Sequence, residues 1–147
     1  MKAISVILLC LGWSLGFAQE VDSLKKKQIH TVEIEEWPQF VNGEKGMFQF
    51  IANNIKYQPL AIKNKVQGKI IVNFSVSETG EIFNISIKKL ELRCKKRDAT
   101  KCELAFKSME NECIRVIKAM PKWVPGRING IPIVCNSIDC PFTFTID

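Results

Sequence analysis

Apolar positions change period several times along the chain, and each change marks an element. Met47, Phe48, Ile51 and Ile55 recur at helical spacing, which predicts an amphipathic helix over Gly43 to Asn54. Tyr57-Gln58-Pro59 breaks it, and Pro59 suits the first position of a second, short helix to about Lys65 presenting Leu60, Ala61 and Ile62. Gly68 closes that passage, and the period drops to two. Ile70, Val72, Phe74 and Val76 alternate with Lys69, Ile71, Asn73 and Ser75. After Ser77-Glu78-Thr79-Gly80 the alternation resumes with Phe83, Ile85 and Ile87, so residues 69–90 predict a β-hairpin. Phe106, Met109, Cys113, Val116, Ile117 and Met120 then form a long helical stripe that Pro121 stops. Trp123-Val124-Pro125-Gly126 and Asn129-Gly130 predict a rigid, tightly turned connection. A last strand starts near Ile131, is disturbed around Asp139-Cys140-Pro141 and resumes from Phe142 to Ile146.

The order α-α-β-β-α-β predicts an α+β fold, a small two-layer sandwich with a three-stranded antiparallel sheet and helices packed on one face. Pro141 has no N–H to give a ladder, so the last strand belongs at a sheet edge or carries a bulge. An open edge presents unpaired backbone groups and can bind by recruiting another strand.

Residues 1–18 read as a secretory signal peptide, with Lys2 as the positive start, Ile4 to Leu11 as the apolar stretch and Gly16-Phe17-Ala18 as the cleavage site before Gln19. The apolar run from Ala3 to Ala18 is interrupted by Gly12, Ser14 and Gly16 and falls short of the roughly 20 residues a span needs. Cleavage after Ala18 implies an exported, periplasmic protein; the alternative is an inner-membrane anchor retaining this segment and facing the periplasm. Cys10 follows Leu9, where a lipoprotein signal wants a small residue. Residues 19–36 are polar and read as a tether, whose Glu33, Glu35 and Glu36 form a solvated face. The folded domain is expected over residues 37–147, opening with Trp37-Pro38-Gln39-Phe40.

Composition narrows the chemistry. With 147 residues, 46% hydrophobic and 24% charged, the chain suits one globular domain plus short extras. His30 is the sole histidine, so histidine-based acid–base catalysis and histidine-rich metal sites lack their usual part. No catalytic residue, metal site or cofactor is expected. In an exported chain Cys94, Cys102, Cys135 and Cys140 are disulfide candidates, with connectivity open, and Cys113 on the apolar helix face is the expected free thiol. Regular strand geometry puts Cys135 and Cys140 about 16 Å apart, so a direct bond between them requires a bulge or small hairpin.

The net charge is +6, and its excess is local: Lys88, Lys89, Arg93, Lys95, Lys96, Arg97 and Lys101 stand against Glu91 and Asp98. The segment from about Leu92 to Lys101, bounded by Cys94 and Cys102, reads as a solvated loop held by its own disulfide, or, with the rest of Lys88–Lys101, as a patch for an anionic envelope surface. No aromatic residue interleaves it, which argues against nucleic acid as a partner.

Several segments together resemble the C-terminal domain of TonB-type energy transducers of the kind found in Bacteroidota. They are Trp37-Pro38-Gln39-Phe40 with Gly43-Glu44, Phe48 to Tyr57, Val66 to Lys69, Glu78 to Ile82, Asn129 to Ile133 and, most specifically, Arg115 to Gly126. The resemblance spans roughly residues 37–147. It implies a module that grips an extended peptide, the TonB box of an outer-membrane transporter, by pairing it with the edge strand near the end of the chain. Carried over by position, that strand is Ile133, Val134, Cys135, Asn136, Ser137 and Ile138. Met120, Pro121, Trp123, Pro125, Gly126, Asn129 and Gly130 match the family signature, and their expected role is structural.

The sequence also departs from that family. A full transducer has an uncleaved membrane helix and a long proline-rich linker, whereas the 18 residues of the tether contain no proline and reach about 60 Å at full extension. The expectation is therefore a binding module supporting transport across the outer membrane. The alternatives are an anchored energy transducer, and a self-associating envelope-binding protein whose edge pairs with its own copy as a homodimer.

Overall fold

A computed structural model describes residues 33–95 and 98–146. The signal-peptide reading, almost all of the tether, and Lys96 and Arg97 lie outside the described residues. The compact unit begins at Ile34.

Its elements are α1 (Gly43–Asn54), α2 (Pro59–Lys63), β1 (Val66–Val76), β2 (Ile82–Cys94), α3 (Ala99–Lys118), β3 (Gly126–Ile128), β4 (Ile131–Ile133) and β5 (Cys135–Phe144). The fold is α+β: a three-stranded antiparallel sheet, ordered β2-β1-β5, covered on one face by helices. β1 is central because its alternate residues are the most apolar of the chain; Ile70, Val72, Phe74 and Val76 are fully buried. From the helical layer Ala105, Met109, Cys113, Val116 and Ile117 meet them, each fully buried. The opposite face carries the exposed Lys69, Ser86, Lys89, Asp139 and Thr143.

The hairpin turn is self-contained. Ser77 N donates to Glu81 O at 2.9 Å, and the Ser77 Oγ accepts from Glu81 N at 3.0 Å. Gly80, at φ +82°, supplies the left-handed position. Its carbonyl accepts from Trp123 N at 2.8 Å, which docks the turn on the connection after α3.

Several expected boundaries shift. β1 begins at Val66 and holds Gly68 inside the strand rather than before it, and β2 runs on to Cys94. The long helix begins at Ala99, where the Asp98 carboxylate accepts from Lys101 N at 3.1 Å as an N-cap. The expected loop from Leu92 to Lys101 is thereby shortened at both ends: Leu92 to Cys94 extend β2, on which Lys88 and Lys89 also lie, and Lys101 lies in α3. Lys88, Lys89 and Lys101 pair with Asp139, Glu91 and Asp98 respectively.

The last strand is also corrected. Its break falls at Val134, between β4 and β5, and Asp139-Cys140-Pro141 lies inside the regular part of β5. β4 instead forms a small hairpin with β3 around Asn129 (φ +51°) and Gly130 (φ +73°). Glu36, just before the expected domain start, joins this small sheet by a bridge to Arg127, and Gln39 bridges Val124 in the connection that leads to it.

Of the four disulfide candidates, Cys94 and Cys102 are bonded and tie the end of β2 to the first turn of α3. Cys135 and Cys140 are not: they stand as buried free thiols, as does Cys113. A bulge explains why two residues of opposite parity both face the core. Val76 pairs with Cys135 and Phe74 with Ile138, so three residues of β5 span two of β1, with Ser137 at φ +59°.

Candidate functional site

With β1 central, β2 and β5 each have an edge that pairs with no strand among the described residues, and the two edges differ. Along β2 the register with β1 shifts twice, between Ile71 and Val72 and between Asn73 and Ser75, and Asn84 sits at φ +51°. Lysines 88 and 89 lie beside the first shift. Bulges and lysines blunt an edge against pairing. From Ile138 to Phe144, β5 keeps an unbroken register with β1, Phe74 to Gly68. Its free edge keeps that register over a length of about 20 Å, with one missing donor at Pro141, which has no N–H to give an added strand.

The expected gripping segment, Ile133 to Ile138, does not form one strand. Ile133 ends β4, Val134 is the break, Cys135 opens β5, and Asn136-Ser137 form the bulge before Ile138. The open, regular ladder lies next to it, over Ile138 to Phe144.

This edge faces a groove against α1. A cleft of about 520 Å³ is lined on one side by the consecutive residues Pro141 to Thr145, and on the other by Phe48, Ile51, Ala52, Ile55 and Tyr57. Consecutive residues line a cleft together when a strand presents its backbone edge, since side chains alternate between faces. Among the described residues, no charged one lines it. Phe48 is 45% exposed although it lies on the apolar stripe of α1. At the other end of the regular edge a second cleft, about 440 Å³, lies among Pro38, Phe40, Met47, Trp123, Ile138 and Asp139.

Two polar clamps hold the groove walls. Asp139 accepts from Asn73 Nδ2 at 2.7 Å and from Lys88 Nζ at 2.6 Å, which links β5 to β2 across β1. The Lys88 ammonium, followed by the Asn73 amide, holds the Asp139 carboxyl below its ordinary value. Behind α1, the buried Glu112 carboxylate accepts from Lys56 N at 2.8 Å and binds the Arg115 guanidinium at 2.7 Å, while Arg115 donates to Asn54 O at 2.7 Å. The Tyr57 hydroxyl donates to Val66 O, and its ring meets Phe144 edge-on at 5.6 Å. Burial pushes this phenol above its ordinary value.

The signature residues concentrate around the connection to the small sheet. Trp123 packs edge-on against Phe40 at 5.8 Å and Phe74 at 5.2 Å, and Met120 is buried beside it in the core. A Cβ on Gly126 would approach Cys135 Sγ to 2.5 Å and Glu36 O to 3.0 Å. Pro125 directly precedes Gly126 in the connection, and Asn129-Gly130 turns the β3–β4 hairpin. The sequence reasoning missed the α1 wall of the groove, whose signal was Phe48 beside Ile51 on the predicted stripe.

Among the described residues no group of three or more His, Cys, Asp or Glu could hold a metal ion, and no helix is long and apolar enough to cross a membrane. No protein-family model matches the chain, and no curated protein matches it.

Proposed function

We propose that this chain is a TonB-like interaction module of the periplasm that binds an extended peptide of an outer-membrane transporter by strand addition, and so supports transport across the outer membrane. The observation that carries the reading is the regular free edge of β5 facing an uncharged groove lined by α1. The bound segment extends the sheet as a fourth strand beside Ile138 to Phe144, and backbone N–H and C=O groups supply affinity. Side chains on its helix-facing side drop between β5 and α1, onto Phe48, Ile51 and Ile55, and supply selectivity. Sequence resemblance supplies the class of peptide, a TonB-box segment, and the apolar leader supplies the compartment.

Calorimetric titration with a synthetic heptapeptide of TonB-box type tests this. Saturable binding that Phe48→Asp weakens at least tenfold is expected, because the substitution puts an unpaired charge in the groove. No saturable binding to a protein whose fold is intact overturns the reading.

A further inference from the structure

The indole N–H of Trp123 is buried and has no hydrogen-bond partner among the described residues, and Trp123 itself is only 7% exposed. A buried indole N–H ordinarily finds a partner, and a native donor left without one calls for a reason. The backbone N–H of the same residue is satisfied by Gly80, so the orphan is specific to the ring. The ring is fixed as well, gripped edge-on by Phe40 and Phe74. A fixed, desolvated donor favours an acceptor that arrives later, because neither water nor reorientation competes with it.

Trp123 also lines the second cleft, together with Ile138 and Asp139 from the start of the regular β5 edge and Met47 from α1. A strand bound along β5 therefore passes the mouth of this cleft, and a helix-facing side chain near Ile138 points toward it. We propose that Trp123 is a specificity residue: its indole Nε1–H donates to an acceptor, an amide or hydroxyl oxygen, carried on one side chain of the bound peptide. The inference rests on the strand-addition reading above and names the residue class that one position of the peptide must hold. Met47, a buried side chain that lines this cleft, is the one that gives way, since an unbranched thioether chain rearranges readily. The neighbouring groove takes apolar side chains, so the recognised segment is mixed: apolar residues beside Pro141 to Phe144 and one acceptor beside Ile138.

The test uses the TonB-box heptapeptide in versions that place glutamine or leucine at each position in turn, and a Trp37→Phe protein beginning at Gln19, in which Trp123 supplies the only indole resonance. At one position glutamine should bind about five- to tenfold tighter than leucine, and that peptide should move the indole proton downfield and slow its exchange. Trp123→Phe, if it folds, should abolish the difference between glutamine and leucine while leaving binding measurable. Perturbation of β5 amides without any response of the indole proton overturns this inference and leaves the strand-addition reading standing. Absence of any binding by every version overturns both.

Discussion

The carboxylate of Glu112 on α3 accepts the backbone N–H of Lys56 at 2.8 Å, 56 residues away in sequence and just past the end of α1. Arg115, one turn along α3, neutralises the same carboxylate and reaches the Asn54 carbonyl. One ion pair thus closes the C-terminus of α1 and fixes the helix that walls the groove. The Arg115 guanidinium, first among the causes, lowers the Glu112 pKa from its ordinary 4.5, with burial opposing. A carboxyl lowered on folding stabilises the native state above its ordinary value, and that contribution disappears as pH falls through the lowered one. Thermal unfolding followed from pH 7 to pH 3 should show this loss in the wild-type protein. In Glu112→Gln the acid limb should be shallower, with stability at pH 7 reduced by about 1–3 kcal/mol.

Gly80 combines a left-handed φ of +82° with backbone contact: a Cβ there would run into the Trp123 carbonyl oxygen. Gly80→Ala should therefore destabilise by more than about 1 kcal/mol. Gly130 has the same sign of φ, +73°, but open space around its Cβ, so Gly130→Ala should cost only the backbone strain, about 1 kcal/mol. Denaturant midpoints of the two variants, measured side by side, check the order.

These two glycines mark what was legible in the chain. The hairpin and α1 stood out because period-2 and period-3.6 patterns ran without interruption, and Gly80 flagged the turn. The first two turns of α3 did not, since their buried positions are the small Cys102 and Ala105 while Leu104 is exposed. The split of the last strand was hidden for a different reason. Ser137 takes a left-handed conformation that side-chain pattern does not encode, and its bulge restores Cys135 to the core face. Pro141 did point to an edge strand, but the groove beside that edge is completed by α1, a partner distant in sequence. Such tertiary adjacency leaves no local signal.

The Cys94–Cys102 bond closes a loop with a sequence separation of 8 and lies at the β2 side of the sheet, across β1 from the groove. Replacing both cysteines by serine should lower stability by about 2–3 kcal/mol through the freed loop. Peptide affinity should stay within twofold of wild type. Denaturant unfolding and calorimetry on the same variant separate the two effects.

Cys113 and Cys140 are fully buried, and burial pushes both thiols up to about 12. Thiolate, the reactive form, is then scarce at pH 8. Iodoacetamide should leave both unmodified in native protein and modify both in denaturant, as read by peptide mass mapping.

The most direct test of the central claim is amide hydrogen exchange with and without the TonB-box heptapeptide. Strand addition predicts slowed exchange confined to outward-facing amides between Ile138 and Phe144, with β2 amides from Ile82 to Cys94 unchanged. Protection appearing along β2, or no protection along β5 at saturating peptide, would contradict the account.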